Sequence, residues 1–513
     1  EEGRNSRQIW RGAAREPPAE EPVGMHVRRL LRCCSPRKKG YNAEIPQGGG
    51  PRTPVRLQFL GATETVTGSK FHLAQNGNSW LIDCGLYQGL KELRRRNWNP
   101  LPVDVKKIEK VILTHAHIDH SGYLPLLVKD GFKGKAVASE PTVELCKILL
   151  PDAGYIQEED AKFAAKKGFS RHEHPMALYT YADAVASLSC LESIPDRTWV
   201  DLSHEVRIML RPAGHILGSR LINVSVKEKH HKFNIMFAGD IGGYDALISV
   251  DPGAVKSVTY LVLESTYGNR LHKEEDILDR FEGIINRTVG RGGKVIIPAF
   301  AVGRTQEVLF ALRKLEDQGR LPDIPIYLNS PLAIDATAIY IKYASEHNFF
   351  KDVAEPKKAF HPSRLVYVHD AEESKHLNAL AEPAIIISSS GMMTGGRILH
   401  HLKAYLPDPK STLVITGFQA AGTRGRSIVD GAKAVKIHGM PVAVNAELEF
   451  IESLSAHGDW GDILRWLKGF TQPPKATFLV HGESEAAAAL RERIEKELGW
   501  KVVVPKYLEK YEL

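Results

Sequence analysis

The order of apolar patterns along the chain predicts an α/β protein in which a sheet-rich unit is interrupted by a parallel α/β unit. Three observations carry this. Short strand patterns dominate residues 53–267, helices alternate with apolar strands over 268–425, and strand patterns return over 426–513. In the first part, "VRLQFLGAT" (55–63) reads as a strand. "KFHLAQNGNSWLIDCG" (70–85) reads as a hairpin, two strand-like runs flanking an Asn-Gly turn. "KVILTHAHIDH" is a strand that ends in a histidine cluster. "RIMLRPAGHILGSRLINVSV", "KFNIMFAGD" and "YLVLEST" continue the β pattern, with helices expected around 121–129 and 141–167. In the middle part, "ILDRFEGIINRTV", "RTQEVLFALRKLEDQG" and "RILHHLKAYL" are helical patterns set between the strand patterns "KVIIPAF", "IPIYLNS", "AIIISSS" and "TLVITGF". In the last part, "AVKIHGMPVAVNAELEFIESL" and "KATFLVHGE" precede a closing helix, "EAAAALRERIEKELG". The simplest arrangement inserts the middle unit into the first, with the late strands rejoining the early sheet.

A chain of 513 residues is long enough for two substantial cores. Residues 1–52 combine charge with "EPPAEEP", "SPRKKG" and "PQGGGPRTP" and show no sustained apolar periodicity. They are expected to be a disordered basic tail, with "VRRLLRCC" a candidate short helix and Met25 a candidate start. The net charge of +7 does not by itself point to a polyanionic partner. Ten Lys/Arg and six Glu lie in residues 1–50, which leaves only three excess positive charges for the rest. The five cysteines, Cys33, Cys34, Cys84, Cys146 and Cys190, are odd in number and form no CxxC pair. Neither a disulfide framework nor a cysteine zinc site is indicated, and a reducing, cytoplasmic setting fits. No apolar stretch approaches the roughly 18–20 residues needed to span a bilayer, so no membrane association is expected.

The chemistry is concentrated in "ILTHAHIDHSGYLP" (112–125). Side chains alternate along a strand, so His115, His117 and Asp119 point to one side if the extended geometry persists. His120 can join them if the chain turns at "SGY". Imidazoles and carboxylates suit zinc, and four candidate ligands exceed the three protein ligands a catalytic zinc ordinarily takes, which suggests two ions. Further candidates stand at strand ends beside glycines: His215 in "PAGHILGS", Asp240 in "FAGDIGG" and His481 in "LVHGE".

"THAHIDHSG", "GHILGS" and "FAGDIGG" resemble the metal-binding motifs of the metallo-β-lactamase fold, an αββα sandwich with its site at the sheet edges. "LESTYGNR", "SLSAHGD" and "LVHGE" resemble the three further motifs of the β-CASP branch, nucleases related to the cleavage and polyadenylation specificity factor endonuclease. The likeness covers residues 55–513, with the α/β insertion in the family's place. It implies that His115, His117 and His215 bind one zinc, that Asp119, His120 and His481 bind a second, and that Asp240 bridges them. Asp83 in "LIDCG" would support the ligand histidines. Glu264 and His457 would form a pair in which the glutamate orients the histidine and the histidine protonates the leaving oxygen.

The implied activity is zinc-dependent hydrolysis of single-stranded RNA with two Zn2+ per chain, leaving 5′-phosphate and 3′-hydroxyl ends. Internal cleavage is the expected mode, with trimming from the 5′ end left open, and a homodimer is one expected assembly. "IIISSSGMMTGGR" (385–397) joins a strand to a helix through serines and glycines, where backbone N–H groups and hydroxyls can hold a phosphate. By resemblance Ser388, Ser389 and Ser390 become candidate substrate contacts. Arg304, Arg424 and Arg426 are candidates for backbone phosphates. "AFAVGRTQEVL" is no P-loop, since it lacks the GK[ST] ending. The histidine at the third β-CASP motif, His481, resembles RNA-acting members. A DNA nuclease, a general phosphodiesterase, a hydrolase of small esters or lactams and a silent scaffold subunit are the alternatives, the last disfavoured because every ligand is present.

Overall fold

The computed structural model describes residues 54–167, 176–228, 231–351 and 355–513, so the expected tail and its short helix lie outside the described residues. Two seven-stranded sheets form the first architectural unit. One runs Lys510–Glu512, Arg56–Phe59, Phe71–Gln75, Asn78–Ile82, Lys110–Ile112, Lys135–Ala138, Leu191–Ser193; the other runs Val502–Val503, Ala476–Val480, Tyr260–Glu264, His231–Phe237, Arg220–Glu228, Val206–Pro212, Val200–Asp201. The Asn-Gly hairpin forms as its sequence suggests. Asn76 and Gly77 take φ of 50° and 87°, the double positive value that a two-residue turn between twisted strands requires.

Period-two alternation sends Leu57, Phe59, Leu73, Trp80 and Ile82 from one sheet, and Ile222, Val224, Val226, Phe237 and Phe478 from the other, into a shared core in which none is more than 2% exposed. Each contributes on the order of 2 kcal/mol by leaving water. The opposite face of the second sheet, through Leu261, Leu263 and Leu479, is covered by helices Trp460–Leu467 and Ser484–Leu498. That of the first, through Leu81, Val111 and Ala136, packs against helices Leu124–Lys129 and Glu140–Lys167. The result is a four-layered αββα sandwich.

The chain leaves the second sheet after Glu264 and rejoins it at Ala476, yet Tyr260–Glu264 and Ala476–Val480 are parallel neighbours with Glu264 opposite Val480. The intervening segment builds a six-stranded parallel sheet in the order Leu365–Tyr367, Ile326–Leu328, Ala384–Ser388, Lys294–Pro298, Thr412–Ile415, Glu447–Phe450. Both faces are covered, as parallel sheets require: Val295, Ile297 and Ile385 enter one core and Ile296 and Ile386 another. Beyond residue 425, Glu447–Phe450 pairs with Thr412–Ile415 and adds the last strand to this sheet. A short half-buried strand such as "ELEF" carries no local signal for which sheet it joins. Before it lies a hairpin, Ala434–Ile437 with Met440–Ala443, turned by His438 and Gly439. Among the described residues no helix is long and apolar enough to cross a membrane, and Cys84, Cys146 and Cys190 are buried free thiols.

Candidate metal centre

The strand Lys110–Ile112 stops before the histidine cluster, and a helical turn, Ile118–Ser121, starts after His117. His115 and His117 therefore come from an extended stretch, while Asp119 and His120 come from the helical turn, which replaces the continuous ligand face expected of a strand. Two glycines permit the close approach. A Cβ on Gly85 would sit 1.6 Å from the Asp119 carbonyl oxygen, and one on Gly239, at φ 57°, would meet the Thr114 side chain at 2.7 Å. The insertion returns the chain so that His481, directly after Val480, lies beside Glu264.

Seven side chains converge in two adjoining groups. In the first, His117 Nδ1 lies 3.1 Å from both His115 Nε2 and His215 Nε2, and Asp240 Oδ2 lies 3.5 Å from each of those Nε2 atoms. In the second, His481 Nε2 lies 3.2 Å from both His120 Nε2 and Asp119 Oδ2. Asp240 Oδ1 approaches His120 Nε2 at 3.2 Å and His481 Nδ1 at 3.5 Å. Asp240 thus offers one oxygen to each group.

Four imidazoles direct their N–H outward. His115 Nδ1 donates to Thr114 Oγ1, His120 Nδ1 to Asp83, His215 Nδ1 to the Ala456 carbonyl and His481 Nδ1 to Thr266 Oγ1. The two threonine hydroxyls are left as acceptors because each donates to a carboxylate, Asp83 or Glu264. The inward nitrogens are then bare lone pairs facing one another and a carboxylate, and Asp240 Oδ1 is buried with no hydrogen-bond partner. Such lone pairs repel unless a cation lies among them. Two nitrogens at about 2.0–2.1 Å from a tetrahedral zinc stand roughly 3.3 Å apart, close to the separations seen. The residues fit a pair of divalent cations.

Burial holds His115 and His215 well below the ordinary imidazole range and His117 down at about 4, which keeps these rings neutral and able to ligate. His120 is opposed by burial too, but the carboxylates of Asp240 and Asp83 outweigh it and raise its pKa. The acids there favour positive charge most strongly.

His457 stands over both groups, its ring 4.5 Å from that of His215 and 5.9 Å from that of His481. Its Nδ1 lies 3.1 and 3.0 Å from the two Glu264 oxygens. Glu264 is fully buried and also accepts from Ile241 N and Thr266 Oγ1. Asp240, Glu264, His457 and His481 lie close enough to suggest a third cation, but the carboxylate of Glu264 is already engaged by three donors, so this group is a hydrogen-bond network. Burial works against charge on His457, yet Glu264 prevails and its pKa rises to about 9.

The candidate contacts of the insertion are arranged differently. Ser388 is buried with its hydroxyl on the Asn329 carbonyl, Ser389 bonds Ser330 and Ser390 bonds Thr394. Arg304 is buried against Glu307, Arg426 pairs with Asp430, and Arg424 binds the carbonyls of Met393, Thr394 and Lys436. Ser389 and Ser390 are half-buried. The next residue, Gly391, packs on the ring of Phe300, and that ring lies 6.3 Å from His117. The residues that sequence reasoning missed are the small hydroxyls beside the ligands: Thr114, Thr266 and Ser69, whose Oγ is 3.3 Å from His120 Nε2. Thr114 and Thr266 sit one and two positions from His115 and Glu264, where a partner for a buried polar atom can be sought.

A sandwich with these ligand groups at its strand ends defines a metal-dependent hydrolase. Family models match in sequence order: the metallo-β-lactamase superfamily over residues 72–298, the β-CASP domain over 305–428 and the Zn-dependent metallo-hydrolase RNA specificity domain over 441–505. Ribonuclease TTHA0252 of Thermus thermophilus is 34% identical over 440 residues, covering 85% of this chain and 95% of its own. An RNase J-like protein of Methanocaldococcus jannaschii is 32% identical over 461 residues, 88% of this chain and 98% of its own. The transcription termination factor FttA of Methanosarcina mazei is 31% identical over 465 residues, 86% of this chain and 69% of its own. The chain belongs to the β-CASP family of the metallo-β-lactamase superfamily.

Proposed function

We propose that the protein is a zinc-dependent ribonuclease that cuts within single-stranded RNA and leaves 5′-phosphate and 3′-hydroxyl ends. The observation that carries this reading is the convergence of seven side chains able to ligate a metal at the strand ends of the sandwich, with the Glu264–His457 pair alongside. A phosphodiester resists hydrolysis because its charge repels hydroxide and its alkoxide leaving group is poor. His115, His117 and His215 would hold one zinc and Asp119, His120 and His481 the other, with Asp240 shared. When bound, such ions acidify water and offset charge on the phosphate oxygens. His457, held by Glu264, carries the proton that the departing 3′ oxygen needs. Asp83 orients His120. Ser389, Ser390 and the backbone of the 389–397 turn are the supports offered to a phosphate next to the scissile one. The relatives named as ribonucleases and the RNA specificity domain match support RNA as the substrate. The reading includes a cytoplasmic setting and a homodimer, and light scattering of the purified chain tests the second.

Incubation of the zinc-loaded protein with a 5′-labelled single-stranded RNA, the same sequence as DNA and a chromogenic β-lactam separates the alternatives. Internal RNA fragments that vanish with chelator and return with zinc are the expected result. Intact RNA beside cleaved DNA or opened lactam would overturn it.

A further inference from the structure

A proton donor must have its main chain fixed as well as its ring. The contact of His457 Nδ1 with both Glu264 oxygens sets how the ring is turned, but a ring can swing about a carboxylate when its own backbone shifts. That backbone lies in a coil, between the 3-10 turn Glu452–Leu454 and the helix Trp460–Leu467. On one side of it the His457 N–H reaches the Ser455 hydroxyl at 3.3 Å, a bond within the coil itself. On the other, Gly458 N donates to the Ile241 carbonyl at 2.7 Å. The His457 carbonyl accepts from Nε2 of His272 at 3.0 Å. A carbonyl has no hydrogen to give, so His272 carries a proton on Nε2.

His272 belongs to the coil that leads from the strand Tyr260–Glu264 into the insertion, and it is half-buried. Two contacts seat it. Its main-chain N–H donates to Asp459 Oδ2 at 2.8 Å, while Oδ1 of the same carboxylate caps the helix Trp460–Leu467 through Gly461 N and Asp462 N. Tyr267, from the same coil, sets its ring edge-on at 4.6 Å from His272 and lies 6.2 Å from His457. One stretch, 264–272, thus delivers both the carboxylate that turns the His457 ring and the imidazole that holds its backbone. The bond to Asp459 comes from the main chain of residue 272 and survives a change of side chain, whereas the bond to the His457 carbonyl comes from the imidazole alone. The two roles of His272 are separable.

We infer that His272 is a positioning residue for the proton donor, fixing through the His457 carbonyl the place of the ring that protonates the departing 3′ oxygen; this rests on the ribonuclease reading. Proton transfer needs its heavy atoms roughly 2.6–3.2 Å apart, so a small drift of the 455–457 coil impairs the chemical step before it impairs RNA binding.

The zinc-loaded wild type is compared with His272→Leu, which keeps bulk and loses the donor, and with His272→Gln, whose amide nitrogen can stand where Nε2 stood. The substrate is a 5′-labelled single-stranded RNA. His272→Leu should lower kcat on the order of tenfold, a part of the roughly 100-fold or more that a positioned acid supplies, with KM and zinc content at their wild-type values. His272→Gln should restore most of the loss. In a His457→Ala background, followed under single turnover, His272→Leu should have no further effect, because residues that act through one step are not additive. An unchanged kcat in His272→Leu overturns the inference and leaves the ribonuclease reading intact. A loss that glutamine does not restore, that comes with lost zinc or a raised KM, or that recurs in full without His457 shows a structural effect and also overturns it. Failure of the wild type to cut the RNA overturns both readings.

Discussion

The strand ends of the sandwich and the strand-to-helix turn of the insertion both gather polar side chains at one place, but they dispose of their hydrogens in opposite ways. At the sandwich edge, each ligand imidazole with a mapped outer partner sends its N–H away, to Thr114, Asp83, Ala456 or Thr266, so that bare lone pairs face inward. In the insertion, the hydroxyls of Ser388 and Ser389 and the guanidinium of Arg424 turn to partners within the chain. The first arrangement leaves a strong unmet demand for positive charge. The second satisfies these side chains within the chain. A cation held with preset geometry needs the former, and the latter makes no such demand.

The comparison can be broken most severely at Asp240, which alone among the described residues offers an oxygen to both groups. Asp240→Asn should cut RNA hydrolysis at least roughly 1,000-fold, the several kcal/mol that metal charge stabilisation supplies. Metal analysis should find fewer than two zinc ions per chain; two ions with normal activity would contradict the shared-ligand reading. His457→Ala should lower kcat roughly 100- to 1,000-fold while zinc content stays at the wild-type value. A matched loss of zinc would instead make His457 a ligand. Glu264→Gln should fall between, because the ring remains but loses its fixed orientation.

Much of this contrast was legible in the sequence at the sandwich edge and little of it in the insertion. Local spacing displays His115, His117, Asp119 and His120, since all lie within six residues. His215, Asp240 and His481 are visible only as polar residues beside glycines, and their meeting depends on the pairing of Tyr260–Glu264 with Ala476–Val480 across the whole insertion. Asp83, Glu264 and His457 carry no metal-site signal of their own, and came from resemblance. The insertion's serines looked alike, "SSS", because the alternation that buries Ser388 and half-exposes the next two depends on where the strand stops. Thr114 was missed since a threonine at the end of a strand is ordinary until its hydroxyl is seen to join Asp83, His115 and His120.

That threonine sharpens the comparison at a smaller scale. Thr114→Val keeps the shape of the side chain and removes the hydroxyl that fixes the His115 tautomer. Zinc affinity should fall roughly 10- to 100-fold, as is usual for a lost partner behind a ligand. A competition titration with a chelator measures this, and activity should return at high zinc. If affinity is unchanged, the tautomer is set elsewhere.

The smallest effects belong to the insertion, and they should separate by position. Ser388→Ala removes a buried hydrogen bond to the Asn329 carbonyl, which should lower Tm by about 1–2 °C and leave KM alone. Ser390→Ala, on the half-buried turn next to Gly391 and Phe300, should do the reverse, raising KM about fivefold, the worth of one hydrogen bond, with Tm unmoved. Arg426→Ala should change neither by more than about twofold in KM or 1 °C, because its guanidinium faces Asp430 on an exposed helical turn and such pairs contribute little. Thermal melts and initial-rate series on the three variants check all of this together. If Ser388→Ala raised KM as Ser390→Ala does, the turn would have to open during binding, and the two regions would differ in mobility rather than in how they place their hydrogens.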